Sequence, residues 1–274
     1  MGPKSKNFNF KESHHKDTEA VEFRKIGEIR SPFRTKFGTP RQPGLVETHC
    51  FVEIDSEFQP EISLQGLERA SHLWVLFYFH QNSSSHFHAK VHPPRLSGES
   101  LGVFATRSPH RPNPIGLSVC KIIDIEKNGI WVEALDVIDG TPVLDIKPYL
   151  PEVEALPGAQ FIWPSKTAAD SMSLLSVRWS QIARNSLQNM QVPDSFPALV
   201  EKCLALDPRP LAYKLEGARP WHRMYFGDFD VHFRFIPSSR ASGGGEIVIE
   251  NVLRQPWELL SPQRNSMPHP KSEL

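Results

Sequence analysis

The sequence has few of the features that mark secreted, metal-binding or membrane-spanning proteins. Its three cysteines are odd in number and far apart, which fits a reducing compartment and gives no metal-ligand spacing. No apolar run reaches the length that a membrane span requires. The amino terminus has no apolar signal region, and Lys6 stands where a myristoylation motif requires Ser or Thr. These absences favour a soluble, cytoplasmic protein.

The formal net charge is zero, and proline is abundant. The 31 basic and 31 acidic residues cancel, so a polyanionic partner must be bound by a local patch and not by the field of the whole molecule. The chain has 25 prolines, well above the usual share of about 5%. This composition predicts many loops and few helices.

Three of the prolines lie in the stretch Arg-Ser-Pro-His-Arg-Pro-Asn-Pro-Ile-Gly at residues 107–116. Each proline fixes φ, removes a backbone donor and pushes the preceding residue away from the helical region. We therefore expect a rigid, extended loop that holds Arg107, Arg111 and Asn113 in defined directions. Arginine grips anions with a planar fork. The alternative is a surface connection with solvated arginines, but strand-like runs on both sides favour a binding site.

Short strand patterns predominate before residue 165. Leu73–Phe79 is a continuous apolar run, which predicts a strand buried on both faces. Asn128-Gly129 predicts a hairpin turn. The other expected strands are Val21–Ile29, Leu45–Ile54, Ile115–Ile125 and Ile130–Val137. Many short strands with few helices predict a mainly β fold, a barrel or a sandwich.

The pattern changes after residue 165. Helical spacing is found over 171–190 and over Phe196–Leu206, which Asp207-Pro208-Arg209-Pro210 ends. The runs Met224–Phe235 and Glu246–Leu253 predict a hairpin around Gly243. We expect a disordered tail at 1–20, a barrel domain at 21–165, a small α+β domain at 166–260 and a tail at 261–274.

Two further groups of polar residues suggest sites. Asp145, Lys147 and Tyr149 alternate, so an extended backbone projects all three to one side, either as a satisfied ion pair or as a working site. His86 and His88 have the spacing of half a cupin-like metal site. No suitable glutamate and later histidine complete it, so partly exposed strand histidines are favoured and no metal is expected.

Five motifs in the same order resemble the TrmO family of tRNA methyltransferases, the TsaA-like proteins. They are residues 27–32 (Gly-Glu-Ile-Arg-Ser-Pro), 38–42 (Gly-Thr-Pro-Arg-Gln), 107–116, 139–151 and 207–210. The resemblance covers nearly everything from residue 24 to 254, loosely over 165–195. It implies a single-sheet β-barrel, a homodimer and S-adenosylmethionine as methyl donor. The implied acceptor is N6 of threonylcarbamoyladenosine, the base just 3′ of the tRNA anticodon.

The resemblance also implies roles for individual residues. Cofactor binding is assigned to Pro40, Arg41, Gln42, His80, Gln81, Arg107, Leu117, Asp145, Ile146, Lys147 and Pro148. The chemistry of methyl transfer, weighed separately, gives Asp145, Lys147, Tyr149 and Asn113 as catalytic candidates. Contacts with tRNA are expected from Arg111, Asp207 and Arg209, and also from Arg34 and Lys36 because they lie in a short basic stretch near the amino terminus. As hypotheses, Asp145 accepts the amine proton or fixes the cofactor, Lys147 and Arg111 hold the threonyl carboxylate, and Tyr149 stacks on adenine. For Arg209, a solvated arginine in a helix-stop turn is the alternative.

Two other function classes stay open at this point. One is a cupin-like metal enzyme that uses His86, His88 and a third ligand. The other is a non-catalytic tRNA-binding or adapter-binding protein that has kept the fold. The second is weakened because every polar motif residue that catalysis requires is present.

Overall fold

The computed structural model describes residues 21–82, 87–93, 100–161, 174–209, 221–238 and 244–255. The strands in these ranges are β1 (Gly27–Arg30), β2 (His49–Ile54), β3 (His72–Tyr78), β4 (Lys90–Val91), β5 (Leu101–Gly102), β6 (Ile115–Glu126), β7 (Gly129–Glu133), β8 (Thr141–Pro148), β9 (Ser176–Trp179), β10 (Trp221–Phe226), β11 (Phe229–Pro237) and β12 (Gly245–Arg254). The α-helices are α1 (Pro60–Ser63), α2 (Pro151–Glu154), α3 (Gln181–Gln188) and α4 (Phe196–Ala205). Single 3₁₀ turns are formed by Ser56–Phe58, Leu67–Arg69 and Val103–Ala105.

Six strands close into a barrel in the order β1-β2-β7-β6-β3-β8. Strand β3 pairs antiparallel with both β6 and β8, and β1 closes the ring on β8. The hairpin turn predicted at Asn128-Gly129 connects β6 to β7. The mainly β fold expected from the sequence is therefore confirmed, and it is a barrel and not a sandwich.

Strand β3 differs from its prediction, because only one of its faces is buried. Leu73, Val75 and Phe77 point into the barrel and are at most 2% exposed. The alternate residues are only half-buried. Trp74 is one of them, and its ring packs edge-on against Tyr149 at 5.9 Å between centroids. Large aromatic residues on the outer face hide the two-residue alternation that a one-sided strand normally shows in sequence.

By their contacts, the described residues form two units. The first comprises residues within 21–29, 51–132 and 140–161; the second comprises those within 30–50, 133–139 and 174–255. Composition did not predict that segments 30–50 and 133–139 group with the second unit. The predicted domain boundary at residue 165 lies outside the described residues and stays a prediction.

The second unit is a four-stranded sheet with helices. Its strand order is β10-β11-β12-β9, with β9 parallel to β12. One buried cluster unites the sheet with α3, α4 and the early segment through Phe33, Val46, Trp179, Val200 and Phe233. Phe33 also forms an isolated bridge with Phe226 at the edge strand β10. This unit agrees with the expected small α+β fold.

Two details of the second unit differ from the sequence-based expectation. Part of the helix expected over 171–190 is the strand β9, and α3 begins only after Ser180, whose side chain caps it by accepting from the Ala183 amide. The run Met224–Phe235 is not one strand, because Gly227 turns it at φ +54° into β10 and β11. The helix predicted at Phe196–Leu206 is confirmed as α4. No helix in the described part of the chain is long and apolar enough to cross a membrane.

Candidate active site

Strand register places two of the predicted cofactor residues on either side of Leu76 on the outer face of the barrel. Leu76 of β3 is paired with Leu117 of β6 on one side and with Asp145 of β8 on the other. Directly opposed residues of antiparallel strands point to the same face. Leu117 and Asp145 therefore flank Leu76, although 28 residues separate them in sequence.

A β-bulge lies at this position. The register between β3 and β8 shifts after Leu76, so that Asp145 is opposite Leu76 while Val143 is opposite Phe77. The extra residue is Leu144. Bulges are over-represented next to active sites because they redirect a side chain and end regular pairing. The bulge is what separates the buried half of β8 from the half that bears Asp145.

The predicted residues that follow β3 are joined to the proline-rich loop by hydrogen bonds. The Phe79 amide donates to the Pro114 carbonyl at 2.9 Å, and the Asn82 side-chain amide donates to the Pro109 carbonyl. These bonds connect the chain that carries half-buried His80 and exposed Gln81 to the proline-rich loop. The loop and the end of β3 thus form one rim of the barrel.

Asp145, Lys147 and Tyr149 lie on one side of the chain, as predicted. The Lys147 Nζ is 2.7 Å from Asp145 Oδ2, and their side chains are 62% and 44% exposed. Asp145 Oδ1 also accepts from the Ile146 amide at 2.9 Å. An exposed pair of this kind contributes only about 0–1 kcal/mol to stability. Both groups therefore stay accessible to a ligand, and the ion pair and the working site are compatible.

The proline-rich loop presents its polar residues unequally. Arg107 and Asn113 are exposed. Arg111 instead turns back on the loop, where its Nη1 donates to the Thr106 carbonyl at 2.8 Å, with longer contacts to the carbonyls of Val103 and Ser108. Arg111 thus supports the loop, and its expected contact with the threonyl carboxylate stays a prediction.

A second rigid loop in the second unit carries Pro40, Arg41 and Gln42. Gly38 has φ +95°, and an added Cβ would lie 2.0 Å from the Met224 sulfur, so only glycine fits at this turn. Pro40 is buried, Gln42 is half-buried and Arg41 is exposed. Arg41 therefore has the exposure that an anion contact requires, while the assignment of all three residues to the cofactor stays a prediction.

Comparison with known proteins decides the family. The tRNA-methyltransferase O N-terminal domain matches residues 28–155, and the TrmO C-terminal domain matches residues 172–242. The Escherichia coli K12 protein named tRNA (adenine(37)-N6)-methyltransferase is 39% identical over 224 residues, covering 78% of this chain and 93% of that protein. A Pseudomonas aeruginosa protein, RcsF, classed by its name among S-adenosylmethionine-dependent methyltransferases, is 42% identical over 215 residues, 77% of this chain and 90% of that one. The crystal structure of TrmO from P. aeruginosa superposes with a TM-score of 0.64 at 33% identity, covering 88% of this chain and all of that one.

The chain belongs to the TrmO family. The identification made from the five motifs is confirmed, and so is the fold that the resemblance implied. The family assignment does not by itself test which TrmO residues contact cofactor or RNA, so those roles stay predictions.

Two basic residues expected to bind tRNA in this TrmO protein differ in their surroundings. Lys36 is exposed. Arg34 is not, because its side chain is only 12% exposed and pairs with Asp139 and, at 3.8 Å, with Asp228. Asp139 also accepts from the Ser31 amide at 3.1 Å. Arg34 therefore links parts of the second unit in this geometry and does not present its guanidinium to a phosphate.

The motif at residues 207–210 is also used internally. Arg209 is 5% exposed; its Nε and Nη2 donate to the two carboxylate oxygens of Asp207 at 2.7 and 3.0 Å. Its guanidinium carbon is 3.5 Å from the centroid of Phe235. This arrangement supports neither a tRNA contact nor a solvated turn arginine. The basic charge that suggested RNA binding is neutralised and packed against an aromatic ring.

One titratable group packs beside this pair. His222 is 7% exposed, and its ring stacks against Phe233 at 5.4 Å between centroids. Burial, together with the positive charge of Arg209, lowers the pKa of His222 below its usual value of 6.5, while Asp207 acts in the opposite direction. The imidazole is therefore neutral at physiological pH.

The histidines of the metal alternative do not form a described site. His86 lies outside the described residues, and His88 is exposed. Within the described ranges, no group of three or more His, Cys, Asp or Glu side chains is placed to hold a metal ion. The metal alternative gains no support from the residues that the structure describes.

Sequence reasoning missed two residues of the first unit. Trp74 donates its indole N–H to Glu154 at 2.7 Å, which in turn accepts from the Leu150 amide; this contact fixes α2 beside β8. Phe104 is 75% exposed just before the Arg107 loop. Phe104 could have been singled out from the sequence, because it is a lone large aromatic residue in a stretch without acidic residues.

Proposed function

We propose that this TrmO protein transfers the methyl group of S-adenosylmethionine to N6 of threonylcarbamoyladenosine, 3′ of the tRNA anticodon. Family membership supports the coarser statement, an S-adenosylmethionine-dependent tRNA adenine-N6 methyltransferase. The threonylcarbamoyl group is the finer step and rests on the resemblance. The proposed site depends on one observation: Leu117, Leu76 and Asp145 are paired across β6, β3 and β8, beside the bulge.

The residues at the rim fit the chemical groups of the proposed cofactor. A sulfonium and an ammonium favour a nearby carboxylate, which Asp145 offers in a partly exposed position. A carboxylate favours an arginine fork, and Arg107 is exposed. Leu76 and Leu117 add apolar surface beside Asp145. When bound, the cofactor supplies a methyl group on a positively charged sulfur.

The rim residues then orient the acceptor and receive its proton. Methyl transfer forms an N–C bond at N6, breaks the S–C bond and releases the N6 proton. In-line placement contributes more to such a reaction than a strong base does. Asp145 Oδ2 is the candidate proton acceptor, and Lys147, 2.7 Å away, is placed to attract the threonyl carboxylate.

The deciding experiment compares tRNA with and without threonylcarbamoyladenosine. We expect wild-type protein with S-adenosylmethionine to yield the N6-methylated nucleoside, detected by mass spectrometry, only from the modified tRNA. Equal methylation of unmodified tRNA would exclude the finer substrate, and no methylation of either would exclude the activity.

A matched pair of variants tests the site. Asp145→Asn should lower methylation at least tenfold. Asp124→Asn is the control, because Asp124 also lies on an exposed strand position and accepts from the next amide at 2.8 Å. Equal activity of the two variants would remove Asp145 from the site.

We also propose that the protein is a homodimer and that it acts in the cytoplasm, where its tRNA substrate is found. Leu150, Val153 and Leu156, around α2, are 50%, 75% and 72% exposed. Three large apolar side chains exposed within seven residues are typical of a surface that another chain covers. Light scattering of the purified protein should give twice the chain mass; a monomer mass with full activity would contradict the dimer.

A further inference from the structure

An exposed phenylalanine stands at the entrance to the Arg107 loop. Phe104 is 75% exposed, although burying such a ring would contribute about 1.5–3 kcal/mol. Single exposed apolar residues are common. What distinguishes Phe104 is the backbone that carries it.

The turn under Phe104 is fixed from several directions. Val103 is 1% exposed, and its amide donates to the Ala89 carbonyl at 2.9 Å. The Val103 carbonyl accepts from the Thr106 amide at 3.1 Å, from the Thr106 hydroxyl at 2.9 Å and from Arg111 Nη1 at 3.5 Å. The ring is therefore presented from an ordered turn. Ordering costs little when such a surface binds a ligand.

The sequence around Phe104 is basic, and one of its arginines lies next to the ring. Residues 100–123 contain Arg107, Arg111 and Lys121 and no aspartate or glutamate. The Arg111 guanidinium carbon is 5.9 Å from the Phe104 ring centroid, within the range of a cation–π contact. A basic stretch attracts a polyanion, and an exposed ring next to it can stack on an unpaired base. RNA offers both the phosphates and the bases.

We propose that Phe104 is a stacking platform for a nucleobase of the RNA substrate, adjacent to the base that is methylated. Aromatic side chains beside basic residues bind unpaired bases in this way. The platform holds the RNA strand while the rim receives the neighbouring adenosine. This inference rests on the proposed function, because it requires tRNA as the substrate.

The experiment uses anticodon stem-loop RNA with 2-aminopurine next to the target adenosine, on either side in two separate probes. Fluorescence anisotropy gives the Kd of the RNA, 2-aminopurine quenching reports stacking, and calorimetry gives the Kd of S-adenosylmethionine. We expect Phe104→Ala to raise the RNA Kd about tenfold, within the range reported for loss of one stacked base. Quenching of one probe should disappear, while the S-adenosylmethionine Kd should not change.

Three further variants make the outcome specific. Phe104→Tyr should retain RNA affinity and quenching, whereas Phe104→Leu, which keeps apolar area without a π face, should lose both. Phe23→Ala removes another exposed phenylalanine of the first unit, 46% exposed, and should bind RNA as wild type does. Thermal unfolding of all variants should match wild type, since none removes a buried group.

Different experimental results would contradict the stacking platform and the proposed function. If wild-type protein neither binds nor methylates tRNA, the proposed function is wrong. If wild type does both and Phe104→Ala or Phe104→Leu binds RNA equally well, the platform alone is wrong. A loss of S-adenosylmethionine affinity in Phe104→Ala as large as the loss for RNA would overturn the platform too, because the ring would then contact the cofactor.

Discussion

Two arginine–proline motifs in this chain look alike in sequence and are used in opposite ways. The loop at residues 107–116 presents Arg107 and Asn113 to solvent on a frame of internal hydrogen bonds. The motif at 207–210 buries Arg209, which pairs with Asp207 and packs on Phe235. Both motifs are rigid because of proline, but only the first leaves a guanidinium available for a ligand.

The difference comes from the neighbours and not from the motif. Asp207 is two residues from Arg209 and adopts a φ of +49°, which folds its carboxylate back onto the guanidinium. The 107–116 loop has no acidic residue. The Arg111 side chain therefore donates to backbone carbonyls, and the Arg107 side chain stays exposed to solvent. An arginine that follows an aspartate at this spacing is a candidate structural element, and one in an acid-free loop is a candidate ligand contact.

The largest expected effect is on the stability of the second unit. Arg209→Ala leaves the Asp207 carboxylate largely buried without its bidentate partner, which should cost about 3 kcal/mol. Native-state hydrogen exchange of the β10 and β11 amides measures this directly, because it reports local opening. Arg178→Ala is the control: its partner is Glu246, in an exposed pair, and it should cost under about 1 kcal/mol. Equal protection in both variants would contradict the structural role of Arg209.

The second prediction concerns the exposed arginine. Arg107→Ala should leave hydrogen exchange unchanged and weaken S-adenosylmethionine binding by about 2 kcal/mol, the loss typical of a charged hydrogen-bond partner. Calorimetry gives the Kd. The exposed Lys121→Ala provides a control from the same acid-free stretch. If Arg107→Ala binds the cofactor as wild type does, the assignment of Arg107 to the cofactor is wrong.

A third prediction separates the two basic residues near the amino-terminal end. Lys36→Ala should reduce the slope of log Kd for tRNA against log salt by about 0.7–0.9, the value for one phosphate contact. Arg34→Ala should leave that slope unchanged and lower stability instead, since Arg34 is paired with Asp139. Titrations of tRNA at three salt concentrations would test both. A reduced slope in Arg34→Ala would show that its ion pair opens for RNA.

The smallest expected effect is a pH dependence in the buried region. The lowered pKa of His222 means that the unfolded chain binds a proton more readily than the folded chain. Stability from this source is complete above the usual value of 6.5 and is lost as the pH falls below it. In His222→Phe, the free energy of unfolding should fall less between pH 7 and pH 5 than it does in wild type, as measured by urea unfolding. The same substitution at exposed His49 should not have this effect. An unchanged pH profile in His222→Phe would remove this role.

The sequence predicted the barrel, the hairpin at Asn128-Gly129, α4 and the shared side of Asp145 and Lys147, because these depend on local periodicity and turn chemistry. It failed where the decisive neighbour is distant. The outer face of β3 carries Tyr78 and Trp74, the latter partly covered by a distant residue, Tyr149, and these large side chains hid the alternation of the strand. Phe235 lies 26 residues from the arginine it covers. Strand β9 was read as helix because its pairing partner, β12, is about 70 residues further along.

The composition of the second unit has a consequence for synthesis of the chain. Phe33 and Val46 belong to its buried cluster, yet the strands that complete this cluster begin only at Trp221. A ribosome adds about 5–20 residues per second, so these two side chains are made on the order of ten seconds or more before the strands that cover them. The early segment therefore exposes apolar side chains on the nascent chain until the second unit is complete. A gene fragment starting at residue 166 would encode a sheet that lacks part of its own core.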